Sequence, residues 1–328
     1  MRVGWLIPTV GAFGAVREMV EISNVWARAG HEVTIYHPDG GPVTWLSSSA
    51  RTAGLRQLSR AEPDALIGII DWRPNLFAAL RANAAAIKAV CLMGFEPSEA
   101  MAAALRGEGP ASDPAWRMMR EAIEEGMAIL ADSSWQTAWL AEHVGVEAGP
   151  PFGGVNLAQF RPAAKRKRDA LRVAASGDPR TRKGSDTVYA AMDLVQDELG
   201  KRVEFVTYWG RRLDQAQLAE FLQQADVFVD GHRRGGWCNP VAEAMACGAA
   251  CVCTQIGATS DFAVHEQTAL VIPADDAEAM AAAILRLAED DGLRRRVAAA
   301  GLARISEFDY EIVAPRLARF LEERLYSI

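Results

Sequence analysis

The densest concentration of residues able to do chemistry lies in residues 225–254, ADVFVDGHRRGGWCNPVAEAMACGAACVCT. An apolar strand runs into a loop holding Gly231, Gly235 and Gly236. A helix then opens near Pro240, and a second apolar strand follows. Proline at a helix start, with glycines before it, leaves backbone N–H groups pointing out of the helix N-terminus, where they can hold a phosphate. Glu243, one turn inside, is placed to reach a ribose hydroxyl pair, as acidic groups do in nucleotide sites. The alternative is an ordinary strand-turn-helix with Glu243 solvated, and the pattern alone leaves both open.

Two more turns fall past the ends of predicted strands, where open α/β sheets place functional groups. Val10-Gly11-Ala12-Phe13-Gly14-Ala15 ends a strand and opens a helix. It lacks the full GxGxxG spacing, and by itself fits a dinucleotide oxidoreductase as well as a transferase. In residues 93–100, MGFEPSEA, the Glu96 carboxylate can bind or deprotonate an acceptor hydroxyl, or simply sit as a charge at a helix N-terminus. Ser133 and Ser134 read as helix caps first and site-lining residues second. Of the five histidines only His232 lies in the glycine-rich loop. Cys247, Cys251 and Cys253 crowd one apolar run but lack a CxxC pair and a histidine at zinc-site distance, so they read as small buried hydrophobes and no metal is indicated.

Loops of this kind need rigid strands to hold them. At 328 residues the chain suits two domains of roughly 150 each, with a cleft between them. Apolar runs at 3–7, 65–70, 89–93 and 128–130 alternate with helical stretches, the first of them at 15–29; a second set follows at 172–175, 203–208, 227–229, 250–254 and 269–272. Strands alternating with helices imply parallel sheets covered on both faces. The basic stretch KRKRDALR, within 162–172, is the most linker-like segment and reads as a solvated hinge. The expected domains are therefore 1–163 and 164–308, with a terminal helix over about 309–328 packing back on the first. A net charge of −7 offers no global positive field for nucleic acid or an anionic membrane. Five cysteines, an odd number, suit a reducing compartment, and no signal peptide or membrane span is legible; a cytoplasmic chain with at most peripheral membrane contact is expected.

EAMACGAACVCT, preceded by ADVFVDG, resembles the nucleotide-binding signature of glycosyltransferase family 4. Further segments with the same likeness follow in order: ARAGHEVTIYHP, DSSWQTAWLAEHVGVE, GGVNLAQFRP, SGDPRTRKGSDTVYAAM and GATSDFAVHEQTALVIPADDAEAMAAAI. The resemblance implies an α/β GT-B fold, two Rossmann-like domains facing across a cleft. It implies transfer of a sugar from a nucleotide-diphosphate donor to a carbohydrate, lipid-linked or other hydroxyl acceptor, with retention and without a metal or cofactor. The donor would lie along Gly235, Gly236, Trp237, Cys238, Asn239, Pro240 and Glu243, with Gly14 approaching its phosphate or sugar from the first domain and Arg17 lining the acceptor side. Glu96 resembles an acidic residue of rhamnosyltransferase-like members.

Two positions depart from that pattern. The family shows a pair of glutamates separated by seven residues; Glu243 is the second, and Gly235 stands at the first, which normally contacts the transferred sugar. The family's diphosphate clamp is an arginine with a lysine five residues on; Lys183 matches, but Asp178 takes the arginine position. The expected clamp is Arg180 with Lys183, fixed cations that would stabilise a departing diphosphate, with Arg182 a surface charge and His232 a further catalytic candidate. The departures motivate a catalytically impaired sugar-nucleotide-binding protein as one alternative. A GT-B enzyme acting on modified DNA bases is another, and the acidic charge weighs against nucleic acid.

Overall fold

The computed structural model describes residues 1–69, 73–92 and 97–327, and the chain divides into two compact units, 1–153 with 310–328, and 154–309. Glu96 lies outside the described residues.

The first unit is built on six parallel strands: β1 (Arg2–Leu6), β2 (Glu32–Tyr36), β3 (Arg51–Ala53), β4 (Ala65–Gly68), β5 (Ile87–Leu92) and β6 (Ala128–Ala131). Their order, β3-β2-β1-β4-β5-β6, is that of a doubly wound dinucleotide-binding sheet. Helices cover both faces, so β4 and β6 bury every side chain and read as unbroken apolar runs rather than alternating ones. Trp5 of β1 stacks on Trp26 of the helix Gly14–Arg28 at 5.6 Å, and the Trp26 indole N–H donates to the Ala314 carbonyl at 2.8 Å. That second contact fastens the terminal helix Tyr310–Leu325 to this unit.

The second unit has five parallel strands: β7 (Leu171–Ala175), β8 (Val203–Thr207), β9 (Val227–Asp230), β10 (Ala250–Thr254) and β11 (Leu270–Ile272), ordered β11-β10-β9-β7-β8. The chain leaves β7 toward β8 on one side and returns to β9 on the other. A crevice therefore opens between β7 and β9 at their carboxyl ends, the place where such sheets bind ligands.

The basic run does not mark the boundary. Residues 154–163 belong to the second unit: the Val155 N–H donates to the Phe308 carbonyl at 2.9 Å, and Phe160 is fully buried in the core around Trp237. The basic run itself is tied down, with Lys165 on the Ala225 carbonyl at 2.6 Å and on Asp226 at 3.2 Å, and Arg168 on Gln224. It is a loop, as its composition suggests, but one bonded to residues 224–226 of its own unit. All five cysteines are unpaired and buried.

Candidate nucleotide-diphosphate site

Two loops converge past β7 and β9. The first runs from Ser176 through the tight turn Thr181–Lys183 to Gly184, at φ +57°, which opens the helix Ser185–Leu199. The second runs from Gly231 to Cys238 and opens the helix Asn239–Ala246, with Pro240 in its first turn. Because Ala175 and Val229 pair in register, the loops leave the sheet side by side. They then meet at Gly184 and Gly231, whose backbones approach too closely for a side chain on either.

Arg233 laces the loops together. Its backbone N–H donates to the Arg182 carbonyl at 2.9 Å, and its guanidinium reaches Asp275 at 2.6 Å, Asp186 at 2.7 Å and the Thr181 carbonyl. Those carboxylates raise its pKa further.

Lys183 projects from the first loop onto His232 of the second, ammonium against Nε2. His232 is buried, with Nδ1 on Asp230 Oδ1, its backbone N–H on the same oxygen at 3.1 Å, and its carbonyl receiving the Thr254 hydroxyl. Burial pulls the Lys183 pKa down, opposed by Asp230 and Cys238 and reinforced by Arg182 and Arg180. Burial pushes the Asp230 carboxyl up, but His232 and Lys183 together hold it below the ordinary value.

Arg180 is held from two sides. Its guanidinium pairs with the buried carboxylate of Asp178, Nε lying 3.0 and 2.9 Å from the two oxygens, and stacks 5.5 Å from the ring centre of the half-exposed Trp209. The aspartate at the expected arginine position thus orients the arginine two residues on. Burial raises the Asp178 carboxyl, but Arg180 and Lys183 overcome it and hold it low. Arg182 is exposed.

Glu243 is only 3% exposed, so the solvated-helix reading of this residue does not hold. Asn239 and Pro240 stand half-exposed at the helix start, and Cys238 at the N-cap makes no side-chain capping bond. Two residues of the expected donor contact face the interior instead. The Trp237 indole lies 4.9 Å from Phe262 and 5.3 Å from Phe308, ring centre to ring centre, and the Cys238 thiol is buried 3.8 Å from Asp230 and His232. The aromatic and thiol bulk beside the glycine pair therefore belongs to the core. A Cβ on Gly235 would meet only Ile256 at 3.5 Å and His232 at 3.9 Å, ordinary contacts, so the backbone there does not require glycine. Gly236 is buried beside it.

In the first unit Gly14 is the exposed first residue of its helix, and the Arg17 guanidinium lies 5.9 Å from the Trp45 ring centre. Ser133 caps the helix Ser134–Val144, its hydroxyl accepting the Gln136 N–H at 3.3 Å. Sequence reasoning missed Asp230, Arg233 and Trp209 in the second unit, and the buried Glu18 and Asp132 in the first. Burial, then Asp132 and Glu18, pushes the Cys91 thiol well up. Glu18 carried a readable signal, an acid on the apolar stripe of an amphipathic helix.

Residues 155–290, which span both site loops, match the family Glycosyl transferases group 1. A phosphatidyl-myo-inositol mannosyltransferase of Mycolicibacterium smegmatis is 26% identical over 232 residues, covering 62% of this chain and 59% of that protein. The match therefore spans about three fifths of the length of this curated relative. Among solved structures, sucrose-phosphate synthase from Thermosynechococcus elongatus aligns over all of both chains with TM-score 0.73 at 20% identity. Anabaena HepE in complex with UDP-glucose aligns over 98% of this chain and 100% of its own with TM-score 0.70 at 13% identity. Residues 155–290 of the second unit are thus similar to glycosyl transferases group 1 domains, in a chain with the two-domain α/β fold of the GT-B glycosyltransferases.

Proposed function

We propose that the chain is a glycosyltransferase that takes a nucleotide-diphosphate sugar in its second unit and passes the sugar to an acceptor hydroxyl with retention of configuration. The observation that carries the reading is the convergence of Lys183, Arg180 and the N-terminus of the helix Asn239–Ala246 past β7 and β9, with Glu243 buried on that helix. A diphosphate gains negative charge as the glycosidic bond breaks. Fixed cations and oriented N–H groups stabilise that charge more than they stabilise the bound donor, which is what lowers a barrier. Retention follows if the acceptor attacks the face the diphosphate leaves, with the diphosphate itself helping to take the acceptor proton. The mannosyltransferase relative supports a carbohydrate or lipid-linked acceptor, and the UDP-glucose complex of HepE supports the donor class.

No metal is needed in this scheme, because Arg180, Lys183 and the helix N-terminus supply the positive field. Among the described residues no helix is long and apolar enough to cross a membrane, and five unpaired buried thiols suit the cytoplasm, which we propose as the site of action.

The test is a donor panel of UDP-, GDP- and dTDP-sugars, scored for binding and for hydrolysis or transfer, with and without a chelator. Turnover of at least one donor that survives chelation is expected, and Glu243→Ala should weaken that donor's binding at least about tenfold. A second reading, donor binding without turnover, is favoured by Gly235 at the position of the missing glutamate. Tight nucleotide binding with no turnover of any donor would establish it.

A further inference from the structure

We infer that Asp230 and His232 are a positioning pair for Lys183: the carboxylate fixes the imidazole tautomer, and the bare imidazole nitrogen holds the ammonium where a nucleotide diphosphate meets it. The inference rests on the donor site proposed above.

A lysine ammonium carries three donors and no acceptor. Its contact with Nε2 of His232 therefore needs a lone pair on that nitrogen, which puts the ring proton on Nδ1, facing Asp230 Oδ1. Neither partner has freedom to turn away. His232 and Asp230 are both 3% exposed at the side chain, the His232 backbone N–H donates to the same aspartate oxygen, and the Thr254 hydroxyl holds the His232 carbonyl. Direct contact with a carboxylate would draw the ammonium away from an incoming phosphate. A neutral imidazole between the two takes one N–H and leaves two for the ligand.

The same atoms suggest a competing occupant. Donor atoms of Asp230, His232 and Cys238 lie within 4.8 Å of one another, a spacing a metal ion could bridge. A metal on Nδ1 would move the ring proton to Nε2, donor against donor with the Lys183 ammonium. The lysine thus selects the proton over the metal.

Two measurements on the full chain test this. The first is the nitrogen-proton correlation spectrum of the imidazole rings in the 15N-histidine-labelled protein, the His232 signals being assigned by their loss in H232Q. The expected tautomer has Nδ1 protonated and Nε2 bare; a protonated Nε2 overturns the proposal. The second is affinity for UDP and for GDP. D230N and H232L should each bind the preferred nucleotide about tenfold more weakly, while H232Q, whose amide oxygen can still accept from Lys183, should stay within about threefold of wild type. Wild-type affinity in both D230N and H232L, with affinity lost in K183A, would show that Lys183 acts without the pair. Tight stoichiometric Zn2+ binding by the metal-stripped chain, abolished in C238S, would also overturn it. Should neither nucleotide bind the wild-type chain, the donor reading fails on that result, and the tautomer decides the arrangement on its own. The spectrum likewise decides if D230N does not fold.

Discussion

A methyl group added to Gly184 would stand 1.8 Å from the carbonyl oxygen of Gly231, and one added to Gly231 would stand 2.5 Å from the carbonyl oxygen of Gly184. Two backbone segments from loops far apart in sequence meet with no space for a side chain on either glycine. That approach is what lets Lys183 of one loop reach His232 of the other.

Alanine at either glycine should therefore be costly. Gly184 also sits in the left-handed region, where a Cβ adds roughly 1–2 kcal/mol. G231A should lose about 1–3 kcal/mol by overpacking, and G184A more. Urea denaturation of both variants checks this, and a midpoint within error of wild type for either would show that the loops can part without cost.

Gly235 should behave oppositely. With only ordinary contacts around its position, G235A should be neutral or slightly stabilising, by up to about 1 kcal/mol through the unfolded chain. G235E, which places a carboxylate where the family carries its first glutamate, should fold with a wild-type melting temperature and change which donor sugar is turned over. A large drop in melting temperature would mean that the loop needs glycine after all.

Trp237 belongs to the core. W237A should cost about 3–5 kcal/mol through the cavity left between Phe262 and Phe308. Unfolding of the variant by calorimetry measures it, and a loss below about 1 kcal/mol would place the indole at the surface instead.

The Asp178–Arg180 pair predicts a direction with pH. The folded carboxyl is held below its ordinary value, so its stabilising contribution is present above the unfolded pKa and is lost as pH falls through the folded one. Arg180 is nearly half exposed, so the contribution should stay under about 1 kcal/mol. D178N should lose less stability on acidification than wild type. Parallel acid curves for the two proteins would remove the pair from the balance.

The sequence showed most of the fold because both sheets are parallel and buried on both faces, which turns each strand into an apolar run between turns. Strand positions at 65, 128, 227 and 250 were readable for that reason. The boundary was misplaced because charge marks Lys165 and Arg168 as solvated, while their partners Asp226 and Gln224 lie far along the chain. The site was half legible. Glycines, Pro240, Glu243 and Lys183 stand in local patterns, whereas Asp230 looks like the polar end of a strand until the ring of His232 folds back on it. Trp209 becomes part of the site only through a contact with Arg180 that no spacing encodes.

The five cysteines give the molecule a built-in alarm. Each thiol is buried, and burial pushes all five pKa values upward, that of Cys247 to about 12. A thiolate is the reactive form, so the native chain should be nearly silent to thiol reagents. Cys91 reports on the first unit, and the other four report on the second. Labelling followed by peptide mapping would therefore tell which half of the molecule opens first, using no residue that nature did not supply.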